Sequence, residues 1–134
     1  MSESTDIVRR VIEGYSAGDA DAVAKFADPE EFVSVIEDSS PNGGTYHGFE
    51  GFLEAVTAWE EAWSSSELRP TRFEERGDWV LARVEQSLTG ALSGIEIDQV
   101  AWYAFRLRDD RGVELHVYLD EGRAREVAGI PRPG

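Results

Sequence analysis

The chain has no cysteine and only two histidines among its 134 residues. The absence of cysteine excludes disulfide bonds, thiolate catalysis and thiolate metal ligands. Two histidines, with no acidic pair at a recognised metal-ligand spacing, give little support to a transition-metal site. We therefore expect neither a metal nor another cofactor.

Basic residues are also few, since 13 lysines and arginines stand against 27 aspartates and glutamates and leave a net charge of −14. Such a charge repels phosphate backbones and anionic membrane surfaces, so neither nucleic-acid nor membrane binding is expected. No apolar run is as long as a membrane span or the apolar part of a signal peptide. These absences predict a soluble, cytoplasmic protein.

Hydrophobic residues, by contrast, are plentiful enough for a packed core, at 41% of the chain. The length is typical of one domain, so residues 1–134 are expected to form a single unit.

Three helices are predicted in the first half of the chain. Apolar residues recur every three or four positions in "IVRRVIEGY", up to the break at "SAGD". Asp19 can cap a short second helix, "ADAVAKFA". After a strand, "EFVSVIE", and a loop dense in turn residues over 38–48, a third helix has one apolar face from Phe49 to Trp63.

From Leu68 the apolar period changes to two, which is typical of strands. Four strands are predicted: "LRPTRFEE", "DWVLARVEQSLTG", "IDQVAWYAFRLR" and "VELHVYLD". A short helix, "EGRAREVA", follows with Asp120 as its cap. This order predicts an α+β fold, with three N-terminal helices packed on a curved, mostly antiparallel sheet and a cavity where the two diverge.

Four stretches in this order resemble the SnoaL-like branch of the NTF2-like superfamily, a group of small bacterial proteins. They are "VRRVIEGYSAGDADAVAKFADPEEFV", "YHGFEGFLEAV", "RGDWVLARVEQSLTG" and "AFRLRDDRGVELHVYLDEGRAREVAGI". The resemblance implies a cone with an internal pocket, commonly dimeric through the convex side of the sheet. It implies no particular reaction, because the fold hosts isomerases, cyclases, hydrolases, dehydratases and non-enzymes.

Strand parity predicts which side chains of the last strand face the interior. The apolar set, with Leu115 and Val117, belongs inward, which places His116 and Tyr118 on the convex face. Asp120 then acts as a helix cap rather than as a catalytic acid.

The resemblance also identifies positions where enzymatic relatives carry catalytic residues. Polyketide cyclases and limonene-type epoxide hydrolases have an inward acid on the last strand, and the matching residue here is Val117. The Arg-x-Asp pair of the epoxide hydrolases falls on Val84 and Gln86. Because a valine cannot relay a proton, the chain departs from both catalytic patterns, and a non-enzyme is the favoured interpretation.

Side chains with an apolar body and a polar tip, or amides among apolar neighbours, are the best candidates for orienting a ligand. The predicted pocket residues are Tyr15, Trp59, Trp63, Val84, Gln86, Gln99, Tyr103 and Val117. Tyr103, at a position where relatives often have an inward histidine, is the first choice for a polar contact. A phenol with a pKa near 10 suits hydrogen-bond donation better than proton abstraction at neutral pH.

If the protein is an enzyme, the candidates for proton transfer are Tyr103, His47 and His116. For His116 this requires the opposite strand parity. His47 stands at the entrance to the third helix and could meet Glu50 at the cavity mouth, although a histidine there is more often an exposed turn residue.

Trp102 lies on the predicted outer face of the sheet among small and apolar residues, a poor surface to expose to water. A homodimer through the convex face would bury Trp102, His116 and Tyr118. The alternative is a single exposed aromatic side chain, which monomers tolerate.

Three functions follow from these observations. The leading hypothesis is a protein that binds a small apolar molecule in a mostly apolar pocket inside the cone. The first alternative is a cyclase, isomerase or dehydratase that acts on a polyketide- or steroid-like substrate by acid/base catalysis. The second is a non-catalytic dimerisation module with a filled cone.

Overall fold

A computed structural model describes residues 2–133. The helices are α1 (Glu3–Ser16), α2 (Ala20–Phe26), α3 (Gly48–Ala62) and α4 (Glu121–Ala128). The strands are β1 (Val33–Ile36), β2 (Gly44–His47), β3 (Trp63–Arg76), β4 (Trp79–Gly90), β5 (Glu96–Arg108) and β6 (Arg111–Tyr118). Helices followed by a run of strands confirm the predicted α+β fold.

Two helix caps lie where the sequence predicts them. The Asp19 carboxylate accepts a hydrogen bond from the Ala22 N–H at the start of α2, and Asp120 accepts one from Gly122 at the start of α4. Gly129 ends α4 with a φ of 68°, a left-handed conformation that glycine adopts without a Cβ clash. These contacts join residues close in sequence, so the local pattern is sufficient to predict them.

The six strands form one sheet in the order β2-β1-β6-β5-β4-β3. Neighbouring strands are antiparallel except β1 and β6, which run parallel. Long strands twist and curve, and the concave face of this sheet wraps α1, α2 and α3 to give the NTF2-like cone.

The main core lies between the concave face and these three helices. Val8 and Ile12 of α1 and Phe52 of α3 pack there against alternating strand residues such as Val84 and Phe105. The period of two in the strands and of three to four in the helices directs both apolar sets to one interior.

Two boundaries differ from the sequence prediction. Trp63, expected at the end of the third helix, is the first residue of β3, which therefore begins well before Leu68. Gly44–His47, expected in a loop, forms the edge strand β2. Trp63 pairs with Gly90 of β4, which is distant in sequence, and β2 pairs with β1 across a turn. In both segments this strand pairing overrides the local sequence pattern.

Helix α4 packs on the opposite, convex face of the sheet. Ala124 and Ala128 join Leu81, Trp102 and Tyr118 in a second core cluster, where Trp102 is only 7% exposed and Tyr118 only 6%. Trp102, for which the sequence suggests either a partner subunit or exposure to solvent, is covered instead by the chain's own last helix. A homodimer through this face stays a prediction.

Candidate functional site

A cavity of about 320 Å³ lies between the N-terminal helices and the concave face of the sheet. Its walls are mainly apolar and aromatic. Helices contribute Ile12, Tyr15, Phe52 and Trp59, and the sheet contributes residues that include Phe105. The interior of the cone is therefore not packed solid, and the space has the aromatic lining that suits a small apolar molecule.

Polar side chains form a hydrogen-bonded row along the sheet wall. The Gln99 amide nitrogen donates to the Gln86 carbonyl oxygen at 2.7 Å, and the Gln86 amide nitrogen donates to the Tyr103 hydroxyl oxygen at 3.0 Å. Because the Tyr103 oxygen accepts this bond, the hydroxyl proton can donate to another acceptor. The row thus presents a fixed phenol donor to the cavity.

Two phenols in the wall are held in the neutral form. Burial raises the pKa of Tyr103 to about 12, against a smaller opposing effect of the Gln86 hydrogen bond. Burial also raises the pKa of Tyr15, with a further contribution from Tyr103 nearby. Both side chains are therefore hydrogen-bond donors at neutral pH, and neither is a ready proton acceptor.

A carboxylate that the sequence reasoning missed stands at the open end of the cavity. Glu37 lines the wall, accepts a hydrogen bond from the backbone N–H of Leu119 at 2.9 Å and accepts a second from the Ser39 hydroxyl. It follows Ile36 at the end of β1, which lies beside the end of β6 because these strands are parallel. The sequence does contain a signal for this residue, because Glu37 is the acidic last residue of a predicted strand and directly precedes a loop rich in turn residues.

The rim around Glu37 combines a loop with exposed apolar side chains. Asn42 is buried and its amide donates to the Ala55 carbonyl oxygen at 3.1 Å, which ties the loop to α3. Ile97 and Leu119 line the cavity and are also exposed to solvent, so the cavity opens between them and the loop.

The structure places seven of the eight predicted pocket residues in the wall: Tyr15, Trp59, Trp63, Gln86, Gln99, Tyr103 and Val117. Val84 is the exception. It points to the same side of the sheet but is fully buried in the main core and does not border the cavity.

His116 lies outside the cavity, on the convex face. Its Nε2 is 3.1 Å from a Glu114 oxygen, its Nδ1 is 3.5 Å from the Tyr118 hydroxyl, and its ring packs near Trp79. The register shift in β6 comes before Glu114, so the regular alternation from Leu115 to Tyr118 is preserved.

His47 lies at the N-terminal end of α3, where it is exposed and makes no side-chain capping bond. Neither histidine is therefore part of the cavity wall. Of the three candidates for proton transfer, the fold brings only Tyr103 to the cavity.

Within residues 2–133, no group of three or more histidine, aspartate or glutamate side chains is arranged to hold a metal ion. Among the helices of the same residues, none is both long and apolar enough to cross a membrane.

The sequence is similar to a known protein family along most of its length. The family model of the SnoaL-like domain matches residues 8–115. Aklanonic acid methyl ester cyclase DnrD from Streptomyces peucetius is 30% identical over 133 residues, which cover 98% of this chain and 86% of the cyclase.

Solved structures share the fold at lower identity. An NTF2-like protein from Burkholderia pseudomallei is similar with a TM-score of 0.81 at 19% identity, covering 96% of this chain and 98% of its own. TerC, co-crystallised with polyporic acid, is similar with a TM-score of 0.80 at 18% identity, covering 96% of this chain and 99% of its own.

Proposed function

Because the chain belongs to the SnoaL-like family of the NTF2-like superfamily, we propose that it binds a small, largely apolar molecule inside its cone. The observation that carries the proposal is the row of Gln99, Gln86 and Tyr103 on an otherwise apolar wall. Such a row orients the polar group of a ligand while the aromatic surroundings bind its body.

The chemistry of the wall favours an uncharged ligand that carries a hydroxyl or carbonyl oxygen. Tyr103 and Tyr15 are neutral donors, and Gln86 and Gln99 are neutral amides. An anionic ligand would meet Glu37 at the rim and the net charge of −14 of the whole chain. Burial of a charged ligand without a counter-ion in the deep wall is unfavourable.

The first test is calorimetric titration with 4-butylphenol, an apolar molecule with one hydroxyl. The wild type is expected to bind one equivalent. Tyr103→Phe removes one hydrogen bond, worth about 1 kcal/mol, and should weaken binding by roughly fivefold to tenfold. Butylbenzene has no hydroxyl, so its affinity should be the same for both proteins.

A cavity-filling variant shows where the probe binds. Val117→Phe adds bulk inside the cavity and should weaken 4-butylphenol binding by about tenfold or more. Leu92→Phe makes a similar change at a fully exposed position and serves as the matched control. Equal affinity in the wild type and Val117→Phe, or no binding to the wild type, contradicts the proposal.

The similarity to DnrD over almost the whole chain favours cyclisation as a second candidate function. Val117 occupies the position where the resemblance places a catalytic acid, so proton transfer needs another group. Glu37 is the carboxylate among the described residues of the wall, and Tyr103 can donate a hydrogen bond to the substrate. In this candidate function Glu37 accepts the proton.

Incubation with aklanonic acid methyl ester, followed by chromatography of the products, tests this candidate. Glu37→Gln should slow conversion about 10²- to 10⁴-fold, the usual contribution of a general base. Asp38→Asn, at the exposed neighbouring position, is the control and should convert at the wild-type rate. Absence of product with the wild type, or full activity of Glu37→Gln, rejects this assignment.

A further inference from the structure

A second chamber of about 270 Å³ lies directly behind one wall of the cavity. It is bounded by the end of α1, the start of α2, α3 and the start of β3. The two spaces share six wall residues: Tyr15, Val23, Phe52, Val56, Trp59 and Trp63. Only a partition one side chain thick separates them at these residues.

The two tryptophans of this partition are held differently. The Trp59 indole N–H donates to the Ser66 hydroxyl at 2.9 Å, and the side chain is 9% exposed within the core. The Trp63 indole nitrogen is buried and, among residues 2–133, has no hydrogen-bond partner. No polar contact therefore fixes the Trp63 ring in its present orientation. A buried N–H without a partner is also energetically unfavourable.

The backbone at Trp63 lies at an irregular point of the fold. Trp63 is the junction between α3 and β3, and β3 is an edge strand of the sheet. The pairing of β3 with β4 shifts register between Trp63 and Ser65, which interrupts the regular ladder at this point. A change of the Trp63 side chain therefore disturbs few regular backbone contacts.

From these contacts we propose that Trp63 sets the length of ligand that the cavity accepts, by closing it against the second chamber. The inference rests on the proposed binding function and adds a ligand class: a neutral head group that contacts the Tyr103 row, with a linear alkyl tail. The occupant of the second chamber is the end of that tail. The walls of the second chamber include Val56 and Phe52, which suit an alkyl group, and Asp19, Glu60 and Ser64 make the outer edge of the chamber polar.

A series of 4-alkylphenols with tails from butyl to octyl tests the inference by calorimetry. In the wild type, affinity should rise with the first added carbons and then stop rising or fall once the tail reaches Trp63. In Trp63→Ala, affinity should continue to rise by about fourfold for each further methylene that leaves water. Trp79→Ala, on the convex face, removes the same side chain elsewhere and should keep the wild-type limit.

Thermal unfolding followed by circular dichroism establishes that each variant is folded. If Trp63→Ala does not fold, Trp63→Leu, which keeps an apolar side chain of smaller volume, must show the same extension of length.

The outcomes separate this inference from the binding function. If the wild type binds 4-butylphenol but the Trp63 variants show the same limit on tail length as the wild type, the role of Trp63 is overturned. The binding function is then still supported. A wild type with no length limit up to octyl also overturns it. A protein that binds no alkylphenol in any form contradicts the binding function itself.

Discussion

Tyr103 carries the phenol at the end of the hydrogen-bonded row in the cavity wall. Its ring packs 6.3 Å from Phe105, and its hydroxyl accepts a hydrogen bond from Gln86, which is itself only 2% exposed. The same burial that stabilises the neutral phenol makes its ionisation costly. In the proposed function the residue is a donor for a ligand, and its burial also predicts a pH-dependent stability.

The free energy of unfolding is expected to fall between pH 10 and pH 12. An unfolded chain ionises its tyrosines near pH 10, whereas Tyr103 keeps its proton up to a pKa of about 12 in the fold. The unfolded state therefore binds fewer protons in this window, and Tyr103 alone contributes a loss on the order of 2 kcal/mol. Urea unfolding at pH 9 and pH 11.5 measures it.

Tyr103→Phe is the control for this pH effect. It removes the ionisable group, so its stability should fall less over the same window, with Tyr15 accounting for part of the remaining loss. An identical pH dependence in both proteins would show that Tyr103 ionises as easily in the fold as in the unfolded chain.

Among the secondary-structure elements, helix α4 covers the convex face of the sheet and buries a second apolar cluster there. Arg125 is 4% exposed and holds the helix in place. Its guanidinium donates to Glu74 on β3 at 2.5 Å and 3.1 Å, to Glu121 at 2.7 Å and to the Pro131 carbonyl oxygen at 3.0 Å. The bond from Arg125 lowers the pKa of Glu74.

Arg125→Met should destabilise the protein by about 2 kcal/mol. The apolar stem still covers Trp102, but Glu74 and Glu121 lose their shared cation, and both are partly buried. The value lies below that of a fully buried pair because water reaches the two carboxylates. Urea unfolding at neutral pH measures the change.

Lys25→Met makes a comparable change on an exposed face of α2 and should alter stability by less than about 0.5 kcal/mol. If Arg125→Met is as stable as Lys25→Met, the ion pairs of Arg125 do not hold α4 on the sheet.

At the scale of the whole molecule, charge and apolar character are separated in space. The net charge of −14 lies on the outside of the chain, while the cavity wall has one carboxylate, Glu37, among the described residues. A charged exterior keeps such a cone hydrated, while an apolar interior favours the transfer of uncharged surface out of water. This separation is the physical basis of the proposed binding function.

Strand parity and helix period decide which side chains face inward, and seven of the residues named from the sequence line the cavity. Val117 and Tyr103 face inward and His116 faces outward, as the alternation of apolar residues indicates. Val84 also faces inward, but parity cannot distinguish a residue packed into the core from one that borders free space. That difference depends on how closely a helix approaches the sheet.

The sequence by itself determined the helices, five of the six strands, the caps at Asp19 and Asp120, and the inward faces of β4, β5 and β6, since these depend on neighbours a few residues apart. Only the tertiary structure decided that Glu37 borders the cavity, that α4 covers Trp102, and that Trp63 lines two adjacent cavities. Each of these depends on contacts between segments far apart in the chain, such as β1 beside β6, and no local pattern encodes those distances.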